Sequence, residues 1–554
     1  MKKIIGIIYL LIILCMATNI YSQPRGAERF KRKGVAHFKK AFLKAILEKE
    51  QGKAAGEYAL AEKAFQEAIQ RKPEWVEPYL RLGRTYFVQK KYSDAARIYH
   101  KAILLSPWRR DIKLKLTTAR KMAERYKGFA RVPEKLFLHE RDNTSSDILQ
   151  KLPIASNPNN ACYDKNGRRI FWFMIISDSH IGTRGTQAAD YLTWIVNDAK
   201  EVIDPLFILN TGDLTNSTNG RFIPRGPYQE EWDIYREILD NADIDASFYY
   251  DIPGNHDAYN DADFSYYLSN SIQGSISGST QHSWIREFPF GTYHFIGICT
   301  AGNDGAPFSF RPRDNFGDHA GLDEIELAFI KSQLINHTDS ELTFIFGHHP
   351  FDAHYSAWLD TGLTYGSESL LNLIDDYNIS QYGFGHTHDY RESFYYDDLP
   401  PGVFYLNLAS LGKSDQNHYA IMAIDGNGLS VTPADKGVWP VVLITAPLNQ
   451  WPENQLNPFT YDVPQSSQNP VRALVFDANP VIKVEFRVDK NGDWQEMEQV
   501  EDTPAWQGVW DASNSTPGPH TIEVQAYGST MATDHIETFI DPELPVENFN
   551  DMDS

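Results

Sequence analysis

The sequence contains little cysteine, no excess of basic residues and no long apolar run after its first residues. Three cysteines in 554 residues are too few for a disulfide scaffold or for a metal site built from thiolates. No later stretch reaches the roughly 20 apolar residues that a membrane-spanning helix needs. The formal charge of -21 argues against nucleic acid as the default partner, because binding to phosphates favours a basic surface.

The chain is long, and its charge is unevenly distributed. With 554 residues, 42% of them hydrophobic, the sequence predicts two to four folded domains. Residues 23–130 carry 27 Lys and Arg against 11 Asp and Glu, whereas residues 131–554 carry 23 against 62. The sequence is therefore a basic segment joined to a very acidic one.

The first 22 residues have the features of a signal peptide. Lys2 and Lys3 provide a positive start, and residues 4–16 form a short apolar run that polar residues end. This pattern predicts a signal over residues 1–22 and a secreted or periplasmic protein. Two alternatives stay open, namely an uncleaved N-terminal membrane anchor and lipidation at Cys15.

Residues 23–130 contain a repeat of 34 residues, which is the distance between Pro73 and Pro107. Matching positions in the two units are Tyr58 and Tyr92, Ala61 and Ala95, Phe65 and Tyr99, and Ala68 and Ala102. Alanines where helices touch, and a proline at the end of each unit, are typical of stacked antiparallel helices. The unit at 74–107 resembles a tetratricopeptide repeat. The resemblance implies an α-helical repeat module. Its basic surface could bind an acidic protein tail or anionic lipid, or it could stay solvated or pair with acidic residues of the same chain.

From residue 169 onward, apolar runs are each followed by residue types that bind metals. The five runs are 170–176, 205–210, 247–252, 342–346 and 381–384. The motifs directly after them are 177–180, 211–214, 253–257, 347–350 and 385–388. Helical stretches at 188–203, 230–241 and 323–336 alternate with the runs. This alternation predicts an α/β sheet with a site at the ends of its strands.

The order of these motifs closely resembles the calcineurin-like metallophosphoesterase superfamily, over about residues 169–435. The resemblance implies a four-layer α/β/β/α sandwich with a dinuclear metal centre. The ligands that it implies are Asp178, His180 and His388 for one metal, Asn255, His348 and His386 for the second, and Asp213 as the bridge between them. Oxygen and nitrogen ligands of this kind suit Mn, Fe, Zn or Co, and the identity of the two divalent ions stays open.

The resemblance also implies a mechanism. Two metals would acidify a shared water, and the bridging hydroxide would attack phosphorus. His256 would act as the general acid, and Asp257 beside it could orient or charge its ring. Purple acid phosphatases carry a tyrosine ligand of ferric iron three residues after the bridging aspartate. That position is Asn216 here, which favours a divalent pair.

Weaker candidates for substrate binding lie near the motifs. His349 follows His348, and the sequence leaves open that the two exchange roles. Arg184 could bind phosphate in a bidentate manner or form a salt bridge within its loop. The segments 300–321 and 219–228 are expected to form walls of the cleft, where loops usually set specificity.

Residues 438–541 are expected to form a β-sandwich, because apolar and polar residues alternate at 483–488 and 522–526 between turn sequences. The region resembles Ig-like or fibronectin-like domains. Trp506 and Trp510 are interpreted as core residues or as a sugar-stacking pair. The remaining segments are a linker at 131–168, the metallophosphoesterase domain at 169–437, a linker-like stretch at 433–440 and a disordered tail at 542–554.

Together these patterns indicate a secreted, dimetal-dependent phosphoesterase that hydrolyses small phosphate mono- or diesters (an EC 3.1-type hydrolase). A nucleotide pyrophosphatase or nuclease-type phosphodiesterase is the alternative within enzymes, although the acidic surface disfavours long polyanions. A protein-binding scaffold with a structural metal domain is the alternative outside enzymes. His256 argues against the scaffold, because a structural site needs no general acid.

Overall fold

The computed structural model describes most of the chain. The described ranges are 51–105, 170–301, 320–351, 362–393, 403–413, 418–500 and 503–544, apart from a few positions within them, with scattered residues at 30–37 and 115–123. The segments that were predicted as a signal peptide (1–22) and a linker (131–168), most of the predicted tail and most of the insert at 300–321 lie outside the described residues. Among the helices that the structure describes, none combines the length and the apolar character that a bilayer crossing requires.

The chain divides into two compact units, residues 1–145 and residues 146–554. The described residues 51–105 of the first unit form helices α1 (Gln51–Arg71), α2 (Val76–Val88) and α3 (Tyr92–Leu105). Ala61 and Ala95, which recur at the 34-residue spacing, are fully buried. Gly83 of α2 lies against Tyr99 of α3, where a Cβ atom would approach the ring to 2.5 Å. The small residues of the repeat therefore mark places where helices touch.

The central part of the second unit alternates strands and helices. Its strands are β1 (Ile170–Ile176), β2 (Ile208–Asn210), β3 (Tyr249–Asp251), β4 (His282–Phe288), β5 (Gly291–Gly297), β6 (Leu342–Phe346), β7 (Gln381–Phe384), β8 (Arg391–Ser393), β9 (Phe404–Asn407), β10 (His418–Asp425) and β11 (Gly428–Asp435). Its helices are α4 (Gln187–Trp194), α5 (Lys200–Ile203), α6 (Gln229–Asn241), α7 (Asn255–Ala258), α8 (Ser265–Asn270), α9 (Ile272–Ser277), α10 (Glu324–Asn336) and α11 (Ser367–Asp376). A π-helical turn, Ile195–Ala199, joins α4 to α5.

These strands form two sheets. Sheet 1 has the order β11-β10-β1-β2-β3, and sheet 2 has the order β4-β5-β6-β7-β9-β8. Strands β1, β2 and β3 run parallel in sheet 1, as do β5, β6, β7 and β9 in sheet 2. The carboxyl ends of parallel strands share one edge of a sheet, so the loops that follow these strands converge.

An apolar layer rich in aromatic rings packs the two sheets together. Phe173 of β1 stacks on Phe207 with ring centroids 4.6 Å apart and meets Phe295 of β5 at 5.6 Å. Phe295 stacks in turn on Phe344 of β6 at 4.8 Å. Helices α4 and α6 cover the outer face of sheet 1, and α10 and α11 cover that of sheet 2. The central region therefore has the layer order α/β/β/α, as predicted.

The C-terminal part of the second unit is rich in strands. They are β12 (Val441–Ala446), β13 (Val463–Pro464), β14 (Asn469–Phe476), β15 (Lys483–Val488), β16 (Gln495–Glu496), β17 (Glu498–Gln499), β18 (Ala505–Trp510), β19 (Gly518–Tyr527) and β20 (Met531–Asp541). Sheet 3 has the order β12-β14-β18-β17, and sheet 4 has the order β13-β20-β19-β15-β16. Trp506 and Trp510 are buried in an apolar cluster shared by these two sheets, which is a core role. The resemblance to Ig-like domains stays a prediction.

Sheet 3 is buried on both faces. In β12, the side chains of Val441 and Leu443 join the apolar cluster that lies under α4 and α6. Val442 and Ile444, which point the other way, pack against residues of sheet 4. Alternation along a strand places successive side chains on opposite faces, so sheet 3 belongs to two cores at once.

The stretch at 433–440 is not a free linker. Strand β11 extends to Asp435, and Pro433 pairs with Ala420 of β10. Further along, Trp439 is buried, with its ring centroid 6.0 Å from that of Trp194. The prediction of a linker-like segment is therefore wrong for 433–435, and the short connection that follows packs against the central region.

A buried ion pair joins sheet 1 to sheet 3. Nη1 of Arg472 in β14 lies 2.6 Å from Oδ1 of Asp425 in β10, and the two side chains are 1% and 2% exposed. Thr445 of β12 donates to the other carboxylate oxygen at 2.8 Å. A charge removed from water is costly unless it is paired and hydrogen-bonded. Asp425 therefore requires both β12 and β14 of sheet 3 in place.

Replacing Arg472 tests this requirement. We expect Arg472→Leu to lower the free energy of unfolding by about 3–5 kcal/mol, because it leaves the Asp425 carboxylate buried without its partner. Arg487→Leu is the matched control. Its guanidinium contacts Glu523 at the same 2.6 Å, but the two side chains are 26% and 29% exposed, and we expect a loss of about 1 kcal/mol or less. Urea unfolding followed by tryptophan fluorescence measures both, and equal losses would contradict the prediction.

Candidate metal centre

The seven predicted ligands lie directly after strands of both sheets. Asp178 and His180 follow β1, Asp213 follows β2, Asn255 begins α7 after β3, His348 follows β6, and His386 and His388 follow β7. The loops of sheet 1 and sheet 2 meet at the shared edge, and contacts of 3.0–3.7 Å connect the seven side chains, as described below. Sequence reasoning therefore selected residues that the fold brings together.

Five of these seven residues have a left-handed backbone conformation. Their φ angles are +53° at Asp178, +46° at His180, +52° at Asp213, +68° at His386 and +62° at His388. Residues other than glycine rarely adopt this conformation, which costs roughly 1–2 kcal/mol for each. Such strain persists where the surrounding structure fixes it, and it concentrates at functional sites.

Asp178, His180 and His388 form a first cluster. Nε2 of His180 lies 3.5 Å from Oδ1 of Asp178, and Nε2 of His388 lies 3.1 Å from the same oxygen. The two imidazole nitrogens are 3.1 Å apart. Oδ1 of Asp178 is buried and accepts no hydrogen bond from any described residue. Oδ2, in contrast, accepts from the Ser177 hydroxyl at 2.6 Å and from the amide of His386 at 3.0 Å.

Asn255, His348 and His386 form a second cluster. Oδ1 of Asn255 lies 3.2 Å from Nε2 of His348 and 3.0 Å from Nδ1 of His386. The amide group of Asn255 donates to the Tyr259 hydroxyl at 2.8 Å, which turns Oδ1 toward the cluster. Nδ1 of His348 lies 2.9 Å from the carbonyl oxygen of Thr211. A carbonyl only accepts, so this nitrogen carries a proton, and Nε2 is the nitrogen that faces the cluster.

Asp213 lies between the two clusters. Its Oδ1 is 3.4 Å from Nε2 of His348, and its Oδ2 is 3.7 Å from Nε2 of His180. Ligand atoms held at about 2.1 Å from one cation, in tetrahedral or octahedral geometry, lie about 3.0–3.4 Å from each other. The distances within both clusters are close to this spacing. The donor set therefore fits two cations that share one carboxylate.

Burial and charge set the protonation of these groups. Burial lowers the pKa of His180 to about 4 and that of His386 to about 3. Burial acts in the same direction on His348, but the carboxylates of Asp213 and Asp178 outweigh it and raise the pKa to about 9. Burial would raise the pKa of Asp213, yet the surrounding histidines hold it well below its usual value. Neutral imidazole and ionised carboxylate are the forms that bind metals, so His180, His386 and Asp213 are in the binding form at neutral pH, and a cation would have to displace the Nε2 proton of His348.

His256 lies beside the clusters, with its ring in a fixed orientation. Its Nδ1 is 2.8 Å from the carbonyl oxygen of Asn216 and therefore donates to it. Its Nε2 is 3.9 Å from Oδ2 of Asp213. The backbone of His256 is held as well, because its amide donates to Asp213 at 2.8 Å and its carbonyl accepts from the Ser217 hydroxyl at 2.6 Å. The ring thus directs Nε2 toward the centre.

The expectation that Asp257 orients the His256 ring is not met. Oδ2 of Asp257 accepts from the amides of Leu214 and Gly254 at 3.0 and 2.9 Å. Oδ1 accepts from the amide and the hydroxyl of Thr215 at 2.9 and 3.0 Å. The carboxylate therefore joins the loop that carries Asp213 to the start of α7, and the Asn216 carbonyl holds the ring.

His349 lies next to the second cluster. Its ring centroid is 4.4 Å from that of His386, and its Nδ1 is 3.0 Å from the Thr300 hydroxyl. Its buried Nε2 has no hydrogen-bond partner among the described residues. His348, whose Nε2 is 3.2 Å from Asn255, is the better placed of the two as a ligand. The geometry therefore favours His349 as a neighbour of the ligands.

Arg184 is on the surface of the loop that follows His180. Its guanidinium lies over the ring of Phe222 at 5.3 Å from the ring centroid. Phe222 belongs to the segment 219–228, which was expected to form a wall of the cleft. The structure thus places Arg184 beside that segment, with its guanidinium over an aromatic ring.

Sequence reasoning missed Lys413. It follows β9 in a turn that is tied to the first ligand loop, because the Gly412 amide and the Ser410 hydroxyl donate to the carbonyl of Asp178 at 3.1 and 3.0 Å. The residue is exposed at the rim of the site, where partial desolvation lowers the pKa of its ammonium group and the nearby carboxylates of Asp213 and Asp178 oppose this shift. No motif or periodicity around Lys413 indicates that it lies close to the metal ligands.

Glu231 of α6 was missed as well. Its buried carboxylate accepts from the amides of Ser217, Thr218 and Asn219 at 2.7, 2.9 and 2.5 Å. Burial raises the pKa of Glu231, and these amides oppose the shift. The three amides directly follow Asn216, whose carbonyl holds the His256 ring. Glu231 therefore fixes the loop that orients His256.

The chain matches one family of known proteins. Residues 171–390, which include all seven predicted ligands, match the model of the family described as Calcineurin-like phosphoesterase. The chain contains a calcineurin-like phosphoesterase domain. A solved structure described as a dimetal phosphatase from Danio rerio is 16% identical, covers 48% of this chain and 95% of its own, and has a TM-score of 0.36.

Two curated proteins are also similar. A Mus musculus protein named "Transmembrane protein 62" is 27% identical over 383 residues, which are 66% of this chain and 55% of that protein. An Arabidopsis thaliana protein named "Putative metallophosphoesterase At3g03305" is 24% identical over 385 residues, 59% of this chain and 50% of that protein. The match therefore spans about half of the length of each relative.

Replacing Glu231 tests its hold on the loop. We expect Glu231→Gln to lower the free energy of unfolding by about 1–3 kcal/mol and to speed hydrogen exchange at the amides of residues 217–219, because an amide oxygen accepts these bonds less strongly. Glu230→Gln, at the exposed neighbouring position of α6, is the control and should stay within about 0.5 kcal/mol. Unchanged exchange at 217–219 would refute the role of Glu231.

Proposed function

We propose that this protein is a dimetal-dependent phosphoesterase that hydrolyses phosphate mono- or diesters. The observation that carries the proposal is the position of Asp213, whose two oxygens face His348 at 3.4 Å and His180 at 3.7 Å. A carboxylate shared in this way suits two cations about 3.5–4 Å apart. When bound, such cations supply an activated water and neutralise the charge of the phosphoryl oxygens.

The ligand roles follow from the two clusters. Asp178, His180 and His388 would hold one divalent ion, Asn255, His348 and His386 would hold the other, and Asp213 would belong to both. The side chain of His388 is 27% exposed, whereas that of Asp178 is fully buried. The centre is therefore open to solvent beside His388, and a substrate enters from that side.

The proton of the reaction is assigned to His256. The carbonyl of Asn216 accepts from Nδ1, so Nε2 is the nitrogen that faces the centre. To donate from Nε2 the ring must be protonated at both nitrogens, whereas burial, with Lys413, lowers the pKa of His256 well below its usual value. The negative charge of a bound phosphate would favour the second proton, which Nε2 then gives to the oxygen of the leaving group, since that oxygen would otherwise depart as a costly alkoxide. Asp257 acts by positioning, because its hydrogen bonds join the loops of Asp213 and Asn255.

Two side chains beside the metal centre favour an anionic substrate, although the domain as a whole is acidic. Lys413 lies close enough to lower the pKa of both His180 and His256. Its positive charge would attract the negative charge of the substrate. His349 offers a buried Nε2 next to the second cluster. These two side chains are the proposed contacts for phosphate oxygens beyond the metal ligands.

Family membership of the domain supports the class of reaction. The match of residues 171–390 covers every residue assigned above except Lys413. The export signal of residues 1–22, the Arg184 contact with phosphate and the protein partner of the helical unit stay predictions.

Metal content tests the assignment of the centre. We expect the purified chain, reconstituted with Mn or Zn, to bind close to two ions per molecule by elemental analysis. Asp213→Asn should reduce the content and bring hydrolysis of 4-nitrophenyl phosphate to background, because an amide offers one ligand oxygen without charge. Asp198→Asn, an exposed substitution in the π-helical turn, should change neither. Two ions in Asp213→Asn would contradict the bridging role.

The leaving group tests the role of His256. We expect His256→Ala to reduce kcat by about 10²–10⁴-fold with glycerol 2-phosphate, whose leaving group needs a proton, and far less with 4-nitrophenyl phosphate. His418→Ala, at the start of β10, is the control. Equal losses with both substrates would mean that His256 positions other groups and donates no proton.

A further inference from the structure

An exposed aromatic ring lies at the outer end of the ligand loops. Phe222 is 87% exposed, the highest value among the large apolar side chains that the structure describes. The guanidinium of Arg184 lies over its ring at 5.3 Å from the centroid. A ring exposed in this way is accessible to a ligand, and covering it stabilises binding in proportion to the apolar area removed from water. A phosphate contact was predicted for Arg184, but the metal ligands and the proton donor assigned above leave Phe222 without a role.

The two loops that carry the pair extend outward from the metal centre side by side. The amide of His180 donates to the carbonyl of Asp213 at 2.9 Å, at the inner end. Further out, the amide of Gly220 donates to the carbonyl of Gly182 at 2.8 Å. Arg184 is four residues from His180, so its backbone lies within about 14 Å of that ligand.

The segment that presents Phe222 is firmly held. The amides of Arg225 and Gly226 donate to the carbonyl of Ser217 at 2.8 and 2.9 Å. The side chain of Asn260 donates to the carbonyl of Gly226 at 2.6 Å. The carboxylate of Glu231 binds the other end of the same segment through Ser217. Phe222 therefore projects from a loop with fixed ends, as a preformed binding surface requires.

The charge around the ring differs from that of the rest of the region. Residues 131–554 carry 23 basic against 62 acidic residues. Arg184, Arg221 and Arg225 are nevertheless all exposed in these two adjacent loops. Arginine binds phosphate in a bidentate manner and also stacks on flat rings. A ligand that combines an anion with a flat ring suits this surface best.

We propose that the Arg184–Phe222 pair is a stacking platform for the flat ring of the leaving group, and that the site thereby favours nucleoside phosphates. The inference rests on the proposed function, because the phosphate of the same molecule must occupy the metal centre. Stacking of a base on an aromatic side chain strengthens binding by an order of magnitude or more. The platform distinguishes substrates by the leaving group and leaves the chemistry at phosphorus unchanged.

Two inhibitors that differ only in the base test the platform. The full-length chain is loaded with Mn, and adenosine 5′-monophosphate and ribose 5-phosphate compete with hydrolysis of bis(4-nitrophenyl) phosphate. We expect the nucleotide to inhibit about tenfold more strongly. Phe222→Ala should bring the two inhibition constants within about twofold of each other, by weakening the nucleotide alone. Arg184→Lys, which keeps the charge and loses the flat guanidinium, should reduce the ratio in part.

The control is Ile325→Ala, at a 76% exposed position of α10, which should retain the full ratio. Hydrolysis of the reporter with equal inhibition by both compounds would overturn the platform alone and leave the proposed function standing. An unchanged ratio in Phe222→Ala would do the same. If the metal-loaded wild type hydrolysed nothing, both the proposed function and the platform would fall.

Discussion

Two buried carboxylates, those of Asp178 and Asp213, are the constraint on which the metal centre depends. Their side chains are at most 2% exposed, and such charges persist in a protein interior only among donors and opposite charges. Histidines from both sheets supply that surrounding. Their arrival at 3.1–3.7 Å depends in turn on the aromatic layer around Phe173 that determines how the sheets meet. The packing of the core therefore determines the geometry of the metal centre in this protein.

The strained ligand loops show how the fold maintains this arrangement. Left-handed residues such as Asp178 and Asp213 are costly, so their loops need support from elsewhere. The support comes from side chains that bind backbone groups: Ser410 holds the loop of Asp178, and Asp257 holds that of Asp213. Neither is a metal ligand in the proposed assignment. The strain is balanced by a surrounding layer of hydrogen bonds that belongs to the centre as much as the ligands do.

The ligands were predictable because their residue types follow apolar runs, and the strands at 170–176, 342–346 and 381–384 are confirmed with these bounds. The support was not predictable, because no pattern shows that Glu231 turns inward to bind three amides. Pro433 shows the same limit. Proline usually ends a strand, but β11 is at the edge of sheet 1, where a missing N–H leaves no partner unsatisfied. In both cases the conformation depends on tertiary contacts, which the local sequence does not show.

Burial of sheet 3 on both faces has a consequence for how the two regions of the second unit can evolve. Because Val441 and Leu443 complete the core on the helical side of sheet 1, the C-terminal strands and the phosphoesterase domain cannot be gained or lost separately without exposing apolar surface. A protein that lost the C-terminal strands would need other residues to bury the apolar surface on the helical side of sheet 1. We therefore expect the two regions to be inherited together, and a gene fragment that ends near residue 437 to encode an aggregating product.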